Sequence, residues 1–334
     1  MDIEARRARR DERRRAIRRR RRVAVALLLA AAALVVAIVV VAAGSGGSAQ
    51  RSGAPTGERA ATGAAGATGG RTAPGHGNAG AASATHAATS AKAGPPGTEP
   101  VPILMYHVIA EPPAGAPFPG LYVPPAEFAE QMQALEHAGW HAVTLDEVAA
   151  YWRRGVPLGA GKPIVISFDN GYNSQYTQAL PVLRRLGWVG DENLQLSGLP
   201  PSQGGLGEGQ IRGLLAAGWE LDTQGISHAD LITLDAEQLH DQVAVARETL
   251  QRRFHVPVNW FCYPSGHYDP TVVAAVKAAG FSGSTTVVPG WAHPTDDPYR
   301  LHRLRVLGGT SGQGLLELLA GTREDAPAPA EYSA

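Results

Sequence analysis

The chain has 334 residues, with 30 basic and 30 acidic side chains and therefore a formal net charge of zero. The charges are segregated, because residues 1–22 hold twelve arginines whereas residues 101–334 hold 14 lysines and arginines against 24 aspartates and glutamates. The acidic C-terminal part excludes a broad surface for nucleic acid or anionic lipid, and the single cysteine, Cys262, excludes an intramolecular disulfide.

The N-terminal residues predict a membrane anchor. The basic residues 1–22 are followed by Val23–Ala43, an uncharged run of Ala, Val, Leu and Ile. A helix needs about 20 such residues to cross a bilayer, whereas the apolar part of a cleaved signal peptide has about 7–15. The length therefore favours a retained single-pass anchor in the cell membrane, although Ala42-Ala43-Gly44 would permit cleavage. The positive-inside rule predicts that residues 1–22 are cytoplasmic and that the C-terminal part is extracytoplasmic; a nucleic-acid arm is the alternative for the arginines.

Composition separates one folded domain from its flanks. Residues 44–100 are nearly all Ala, Gly, Ser, Thr and Pro, which cannot bury enough apolar surface to fold, so they predict a disordered linker. Residues 322–334 predict a disordered tail. Between them, residues 101–321 are sufficient for one domain with a sizeable core. Cys262 flanks an apolar strand, so we expect a buried and inert thiol.

Short apolar runs alternate with helical patterns through this domain. The predicted strands are Val101–His107, His141–Thr144, Pro163–Phe168, Glu192–Leu196, Trp219–Thr223, Val258–Tyr263, Ser284–Val288 and His302–Leu307. The predicted helices are Pro125–Ala138, Gln175–Leu186, Asp235–Phe254 and Asp269–Ala279, the last two with aspartate caps. This alternation predicts an α/β fold, a distorted (β/α) barrel of about seven to eight units, whose reactive side chains would lie at the C-terminal ends of strands.

Polar residues follow two of these strands. Asp169 ends the apolar run of the third strand, where a carboxylate is costly unless it is paired or functional. It is either a general base or a cap of the following segment, and Asn170-Gly171 is a turn signal in its own right. On the fifth strand, period-two alternation puts Glu220, Asp222 and Gln224 on one face, and His228 follows in a turn. A histidine in such a turn is more often a surface or hydrogen-bonding residue than a metal ligand.

Several motifs together resemble one family. They are Lys162–Tyr172 with Asp169 at its centre, Glu220–Leu231 with His228, the opening strand Val101–His107, Phe261-Cys-Tyr-Pro-Ser-Gly266, and Arg300–Val306. Their order and spacing over residues 101–310 resemble the polysaccharide deacetylase family (NodB-homology, carbohydrate esterase family 4-like). In that family the first motif ends in two aspartates and the second carries two histidines. Here Asn170 replaces the second aspartate and Gln224 the first histidine.

The resemblance implies hydrolysis of an N-acetyl group with a divalent metal that activates water. By position, Asp169 would be the base, and His228, Asn170 and Gln224 would be the metal positions. Tyr263 would lie in the loop whose backbone donates to the oxyanion. Arg303 or Arg305 would replace the arginine missing from the third motif, and no late Leu-x-His-Asp segment supplies a general acid.

Two substituted ligand positions weaken the expected metal site. An amide oxygen is a neutral and weak ligand for zinc, so the metal, zinc if any, is expected to be weakly bound or absent. Asp222 could supply the lost charge.

These expectations support competing functions. The first is a membrane-anchored, extracytoplasmic hydrolase acting on N-acetyl groups of cell-wall or surface glycan, with N-acetylated glycan or peptidoglycan as its partner. The alternative is a catalytically silent deacetylase fold that binds glycan or a partner protein. In that case the candidate sugar-stacking rings are Trp219, Trp260, Trp291 and Tyr268, although such aromatics are more often core residues. A membrane-tethered scaffold without a ligand is the third hypothesis.

Overall fold

The computed structural model describes residues 94–197, 199, 204–322 and 327–333. The predicted basic segment, the predicted transmembrane helix Val23–Ala43 and residues 44–93 of the predicted linker lie outside the described residues. Among the residues described, no helix has both the length and the apolar character needed to cross a membrane.

A parallel sheet forms the centre of the described domain. Its strands are β1 Ile103–Tyr106, β2 Trp140–Ala142, β3 Lys162–Asn170, β4 Asp191–Leu194, β5 Glu220–Thr223, β6 Trp260–Cys262, β7 Gly283–Thr285 and β8 Leu304–Arg305. The order is β7-β6-β5-β4-β3-β1-β8, with β2 beside β3. A parallel bridge between Thr285 and Leu301 joins β7 to the residues before β8. The sheet is therefore a parallel-strand half-barrel, and the predicted α/β class is confirmed.

Helices lie in most of the long crossover connections that parallel strands require, and one more helix follows β8. They are α1 Pro125–His137, α2 Leu145–Arg154, α3 Leu180–Leu186, α4 Glu208–Ala216, α5 Ala236–His240, α6 Ala246–Phe254, α7 Pro270–Ala278 and α8 Gly312–Gly321. The predicted caps are confirmed, since Asp235 accepts from the Gln238 amide and Asp269 from the Val272 amide. Thr144 and Glu147 form a capping box that begins α2.

Some predicted elements differ from the structure. The prediction contained no helix at α2, α4 or α8. In α8, Gly312 and Gly314 lower the helix propensity, but at Gly312 a β-carbon would come within 2.8 Å of the Ala134 Cβ. Glycine thus lets α8 pack closely on α1, and tertiary packing overrides propensity. The predicted helices Gln175–Leu186 and Asp235–Phe254 each contain one π-helical turn. Val101 pairs with Ala292 instead of extending β1.

The four aromatic residues considered as sugar-stacking rings are core residues. Trp219 is 3% exposed, Trp260 2%, Trp291 7% and Tyr268 0%. Trp219 stacks on Phe168 at 4.9 Å between ring centroids. A ring without an exposed face cannot stack on a sugar, so the sugar-stacking hypothesis is wrong for all four residues.

Short described segments on both sides of the predicted domain form backbone hydrogen bonds with it. Gly94 and Gly97 donate their amides to the carbonyls of Arg154 and Tyr151, which holds residues 94–100 against α2. At the other end, Tyr332 pairs with Tyr268 through two backbone hydrogen bonds. Backbone hydrogen bonds supplied by the folded domain order these short segments, although their composition predicts disorder. The domain boundaries at residues 100 and 322 stay predictions.

Candidate active site

Asp169 lies at the C-terminal end of β3, as its position after the apolar run predicts. Val165, Ser167 and Asp169 face the interior of the half-barrel, whereas Ile164 and Phe168 pack in the helix-facing core. Period-two alternation along β3 thus directs the carboxylate inward. The Asp169 side chain is almost completely buried, so its charge requires compensation.

Arg303 supplies this compensation. Its Nη1 donates to Asp169 Oδ1 at 2.7 Å and its Nη2 to Asp169 Oδ2 at 2.8 Å, a two-pronged ion pair. The guanidinium also donates to Ser167 Oγ at 3.1 Å and to the Thr286 carbonyl at 2.8 Å. Such a fork fixes both the position and the plane of the carboxylate. The sequence left Arg303 and Arg305 as alternatives, and the structure decides between them because Arg305 is exposed.

The ion pair sets the ionisation of Asp169. Burial by itself would raise the pKa of this carboxyl, but the Arg303 charge and hydrogen bonds outweigh burial and lower the pKa to about 2. Asn193 adds a hydrogen bond from Nδ2 to Asp169 Oδ1 at 2.9 Å. Cys262 is buried, as predicted, with its Sγ 3.6 Å from Asp169 Oδ2, and burial raises the pKa of its thiol to about 12. Asp169 is therefore ionised at neutral pH and can accept a proton.

Two histidines lie near this carboxylate. His107 Nε2 is 3.9 Å from Asp169 Oδ2, and burial lowers the pKa of His107 to about 4 despite the Asp169 charge. His228 is partly buried at φ +49°, and burial lowers its pKa as well. Both imidazoles are thus neutral at pH 7. The sequence interpretation missed His107 as a site residue, but the parallel register that pairs Tyr106 with Phe168 could have found it.

The substituted positions Asn170 and Gln224 are both buried at this end of the sheet. Asn170 has a φ of +79° and donates from Nδ2 to Gln195 Oε1 at 3.1 Å. Its conformation also makes it the turn residue that Asn170-Gly171 predicts, since Gly171 follows at φ +88°. Gln224 Oε1 is buried and has no hydrogen-bond partner among the described residues. An orphaned oxygen at this position fits a ligand, either a cation or a polar substrate atom.

These donors fit a weakly held divalent metal. His228 offers a neutral imidazole, and the two amides offer uncharged oxygens, which bind zinc less well than a carboxylate or imidazole. The residues were recognised by motif, and their roles as ligands stay a prediction.

Tyr263 is the predicted site residue that the structure keeps apart from Asp169. Its ring packs on Phe261 and Tyr268, and its hydroxyl donates to the Tyr299 carbonyl at 3.0 Å. Its amide donates to the Thr285 carbonyl at 3.3 Å. The side chain therefore serves the core, and an oxyanion role for the backbone of this loop stays a prediction.

Asp222 is not a substitute ligand beside Gln224. Its Oδ1 accepts from the Trp260 amide at 2.8 Å and from the Asn259 amide at 3.2 Å, at the start of β6. Two residues along a strand separate side chains by about 6.6 Å, so sharing a face does not bring them together. Asp222 belongs instead to a group with Asp191 and Glu220.

Comparisons with known proteins agree with this architecture. The family model described as polysaccharide deacetylase matches residues 159–284. A protein of Bacillus subtilis (strain 168) named "Putative polysaccharide deacetylase YxkH" is 29% identical over 212 residues, 64% of this chain and 73% of that protein.

Two solved structures share the fold. The Streptococcus pyogenes deacetylase PplD, in complex with acetate, superposes with a TM-score of 0.61 at 24% identity, over 66% of this chain and 99% of that one. The polysaccharide deacetylase BC0361 from Bacillus cereus has a TM-score of 0.59 at 23% identity, over 66% of this chain and 69% of that one. The matched family model, the YxkH relative and the Asp169 motif at the end of β3 together show that the described domain is similar to the polysaccharide deacetylase family.

Proposed function

We propose that this protein is a membrane-anchored, extracytoplasmic hydrolase that removes N-acetyl groups from cell-wall or surface glycan. Similarity to deacetylases supports the reaction class, since PplD is a deacetylase found with acetate and YxkH is named a putative polysaccharide deacetylase. The arginine-rich residues 1–22 and the apolar Val23–Ala43 support the anchor and its orientation.

The fixed, ionised carboxylate of Asp169 is the observation that carries the proposal. A base must be unprotonated and oriented before the substrate arrives, and Arg303 and Asn193 together provide both conditions. The ion pair also makes Asp169 a weak base, because its pKa is about 2. A weak base can deprotonate only a water that has been acidified by another group.

A divalent cation held by His228, Asn170 and Gln224 would lower the pKa of a water and polarise an amide carbonyl. The chain's own residues do the rest. Asp169 takes the water proton, and Arg303 keeps its carboxylate in place. His107 stays neutral, and its Nδ1 is buried without a partner among the described residues.

Acetate release tests this proposal. We expect the purified full chain, supplied with Zn²⁺, to release acetate from N-acetylated chito-oligosaccharide or peptidoglycan. The His228→Gln variant should lose about 10²-fold or more of this activity, since it removes the strongest of three ligands. His228 is only partly buried, so the variant should keep its fold, as circular dichroism would check. Release that is unchanged in His228→Gln would contradict the ligand assignment. No release from a folded chain would favour the silent, glycan- or protein-binding alternative.

The orientation has its own test. Protease added to intact cells should digest the domain and leave a short membrane-bound fragment, because the arginines retain the N-terminus inside. Cells opened with detergent serve as the control. Complete protection of the domain in intact cells would refute the proposed orientation.

A further inference from the structure

A second group of polar side chains lies deeper in the sheet, toward the N-terminal ends of β4 and β5. Asp191 is the first residue of β4, Glu220 is the first of β5, and Asp222 follows two residues later. Asp191 and Glu220 are direct partners in the β4–β5 pairing. One ligand oxygen from each of the three carboxylates lies within 4.8 Å of the other two. None of these residues belongs to the site around Asp169.

Each carboxylate is held by a backbone donor on one side. Asp191 Oδ2 accepts from the Leu145 amide at 2.9 Å, and Glu220 Oε2 accepts from the Asp146 amide at 3.0 Å. Both amides belong to the first turn of α2, whose dipole is positive at this end. Asp222 Oδ1 accepts from the Trp260 amide at 2.8 Å. Backbone amides around the group thus hold the three carboxylates in position, as preorganised ligands are held.

One oxygen of each carboxylate is buried and lacks a donor in the hydrogen-bond network of the described residues. Asp191 Oδ1, Glu220 Oε1 and Asp222 Oδ2 are all buried atoms without a hydrogen bond among the described residues. Asp191 and Asp222 are 0% exposed. Within the described part of the chain, no lysine, arginine or histidine forms an ion pair with any of the three. Buried carboxylates that lack a counter-charge are strongly unfavourable, so a proton or a cation must occupy the centre.

We propose that Asp191, Glu220 and Asp222 bind one hard divalent cation of the Ca²⁺, Mg²⁺ or Mn²⁺ class. All three donors are carboxylate oxygens, which such cations prefer, and no imidazole or thiolate is present to favour zinc. Oxygens at these separations can surround one cation with ligand distances of about 2.0–2.6 Å. Glu220 is the one residue of the three that is partly exposed.

The cation would have a structural role. Leu145 and Asp146 begin α2, Asp191 and Glu220 begin two central strands, and Asp222 holds the start of β6. Neutralising the cluster would therefore tie a helix to three strands. Burial, and after it the neighbouring carboxylates, raises the pKa of Asp191, Glu220 and Asp222, so protons are the competing occupants.

The test uses the full chain, stripped with chelator and titrated separately with Ca²⁺, Mg²⁺ and Mn²⁺. We expect at least one of these ions to bind with one equivalent by calorimetry and to raise Tm by about 5 °C at saturation. The same response should persist in His228→Gln, because that substitution affects only the site around Asp169. No binding heat and no change in Tm with any of the three ions would overturn the proposal. Protons would then neutralise the three carboxylates.

Matched variants locate the ion. Asp191→Asn should weaken binding at least about tenfold, since an amide replaces a charged ligand. Glu192→Gln is the control: the adjacent residue is equally buried, but alternation directs its side chain to the other face of β4. It should bind as the natural chain does. In chelator, Asp191→Asn should be at least as stable as the natural chain, because it relieves like-charge repulsion, and this separates a lost site from a lost fold.

If Asp191→Asn does not fold, Glu220→Gln at the partly exposed position takes its place, with the same expected loss of affinity. Binding that survives both substitutions, or that Glu192→Gln or His228→Gln abolishes, would place the ion elsewhere and refute the assignment.

Discussion

Replacing Arg303 with methionine is expected to lower the free energy of unfolding by about 3–5 kcal/mol, because it leaves a buried, uncompensated carboxylate. The Arg303 guanidinium offsets the free-energy cost of burying the Asp169 carboxylate through two charge-assisted hydrogen bonds at 2.7 and 2.8 Å. Urea denaturation at pH 7 measures the loss. Arg305→Met is the matched control, since Arg305 lies two residues away and is exposed, and it should change stability by no more than about 0.5 kcal/mol.

A double-mutant cycle separates the pair from its parts. Asp169→Asn should also destabilise, because Arg303 would then be the unpaired charge. The double variant should be less destabilised than the sum of the two single variants, since neither charge remains. Purely additive losses would contradict a coupled pair.

Acid unfolding gives an independent readout of the same pair. The pKa of Asp169 is lowered from 3.8 to about 2 in the folded protein. Its contribution to stability is therefore fully present above pH 3.8 and is lost as the pH falls through about 2. The shift corresponds to about 2 kcal/mol. In Arg303→Met, burial raises the pKa of Asp169, so the acid-unfolding midpoint should move to higher pH.

Restoring both substituted ligands, Asn170→Asp with Gln224→His, is expected to strengthen Zn²⁺ binding at least about 100-fold, or about 2.7 kcal/mol. Gln224 Oε1 already lacks a partner, so the position can accept a ligand side chain. Aspartate tolerates the φ of +79° at residue 170. Calorimetric titration of the full chain with Zn²⁺ measures the gain.

The single variants are the controls. Asn170→Asp alone adds a buried carboxylate near Asp169, so without metal it should be less stable than the natural chain. The two changes should be non-additive in affinity, because each alone leaves an incomplete site. Adding His228→Gln to the double variant should remove the gain. A folded double variant that binds no zinc would refute the residue correspondence between this chain and the polysaccharide deacetylase family.

Acetate release by the double variant distinguishes a site that has lost its activity from one that has been retuned. Activity that rises only when both ligands are restored would identify the natural chain as a silenced enzyme. A natural chain that is already active and faster than the double variant would show a retuned site.

Local pattern was sufficient for much of the fold. The apolar run before Asp169 predicts a buried strand because a parallel strand covered on both faces needs no polar alternation. Asp235 and Asp269 predict helix starts because a side-chain oxygen satisfies a free amide of the first turn. Local pattern failed at α8, where glycines permit a close helix contact that no local rule contains.

The site residues also fall into those that local sequence pattern predicts and those that it misses. Motifs predicted Asp169 and Asn170, which lie at the end of β3, and Gln224 and His228, which lie in the segment after β5. Asn193 and His107 were missed because their role depends on register between strands distant in sequence. Asp222 was misplaced because alternation gives the face of a strand and not the depth at which a side chain lies.

The sequence by itself determined the resemblance to the polysaccharide deacetylase family, the α/β class and the buried carboxylate at the end of β3. Only the tertiary structure decided that Arg303 and not Arg305 neutralises Asp169, that four tryptophan and tyrosine rings are core residues, and that Asp191, Glu220 and Asp222 converge. The reason is physical: charge compensation and burial depend on which distant segments meet, whereas strand and cap preferences act between neighbours in the chain.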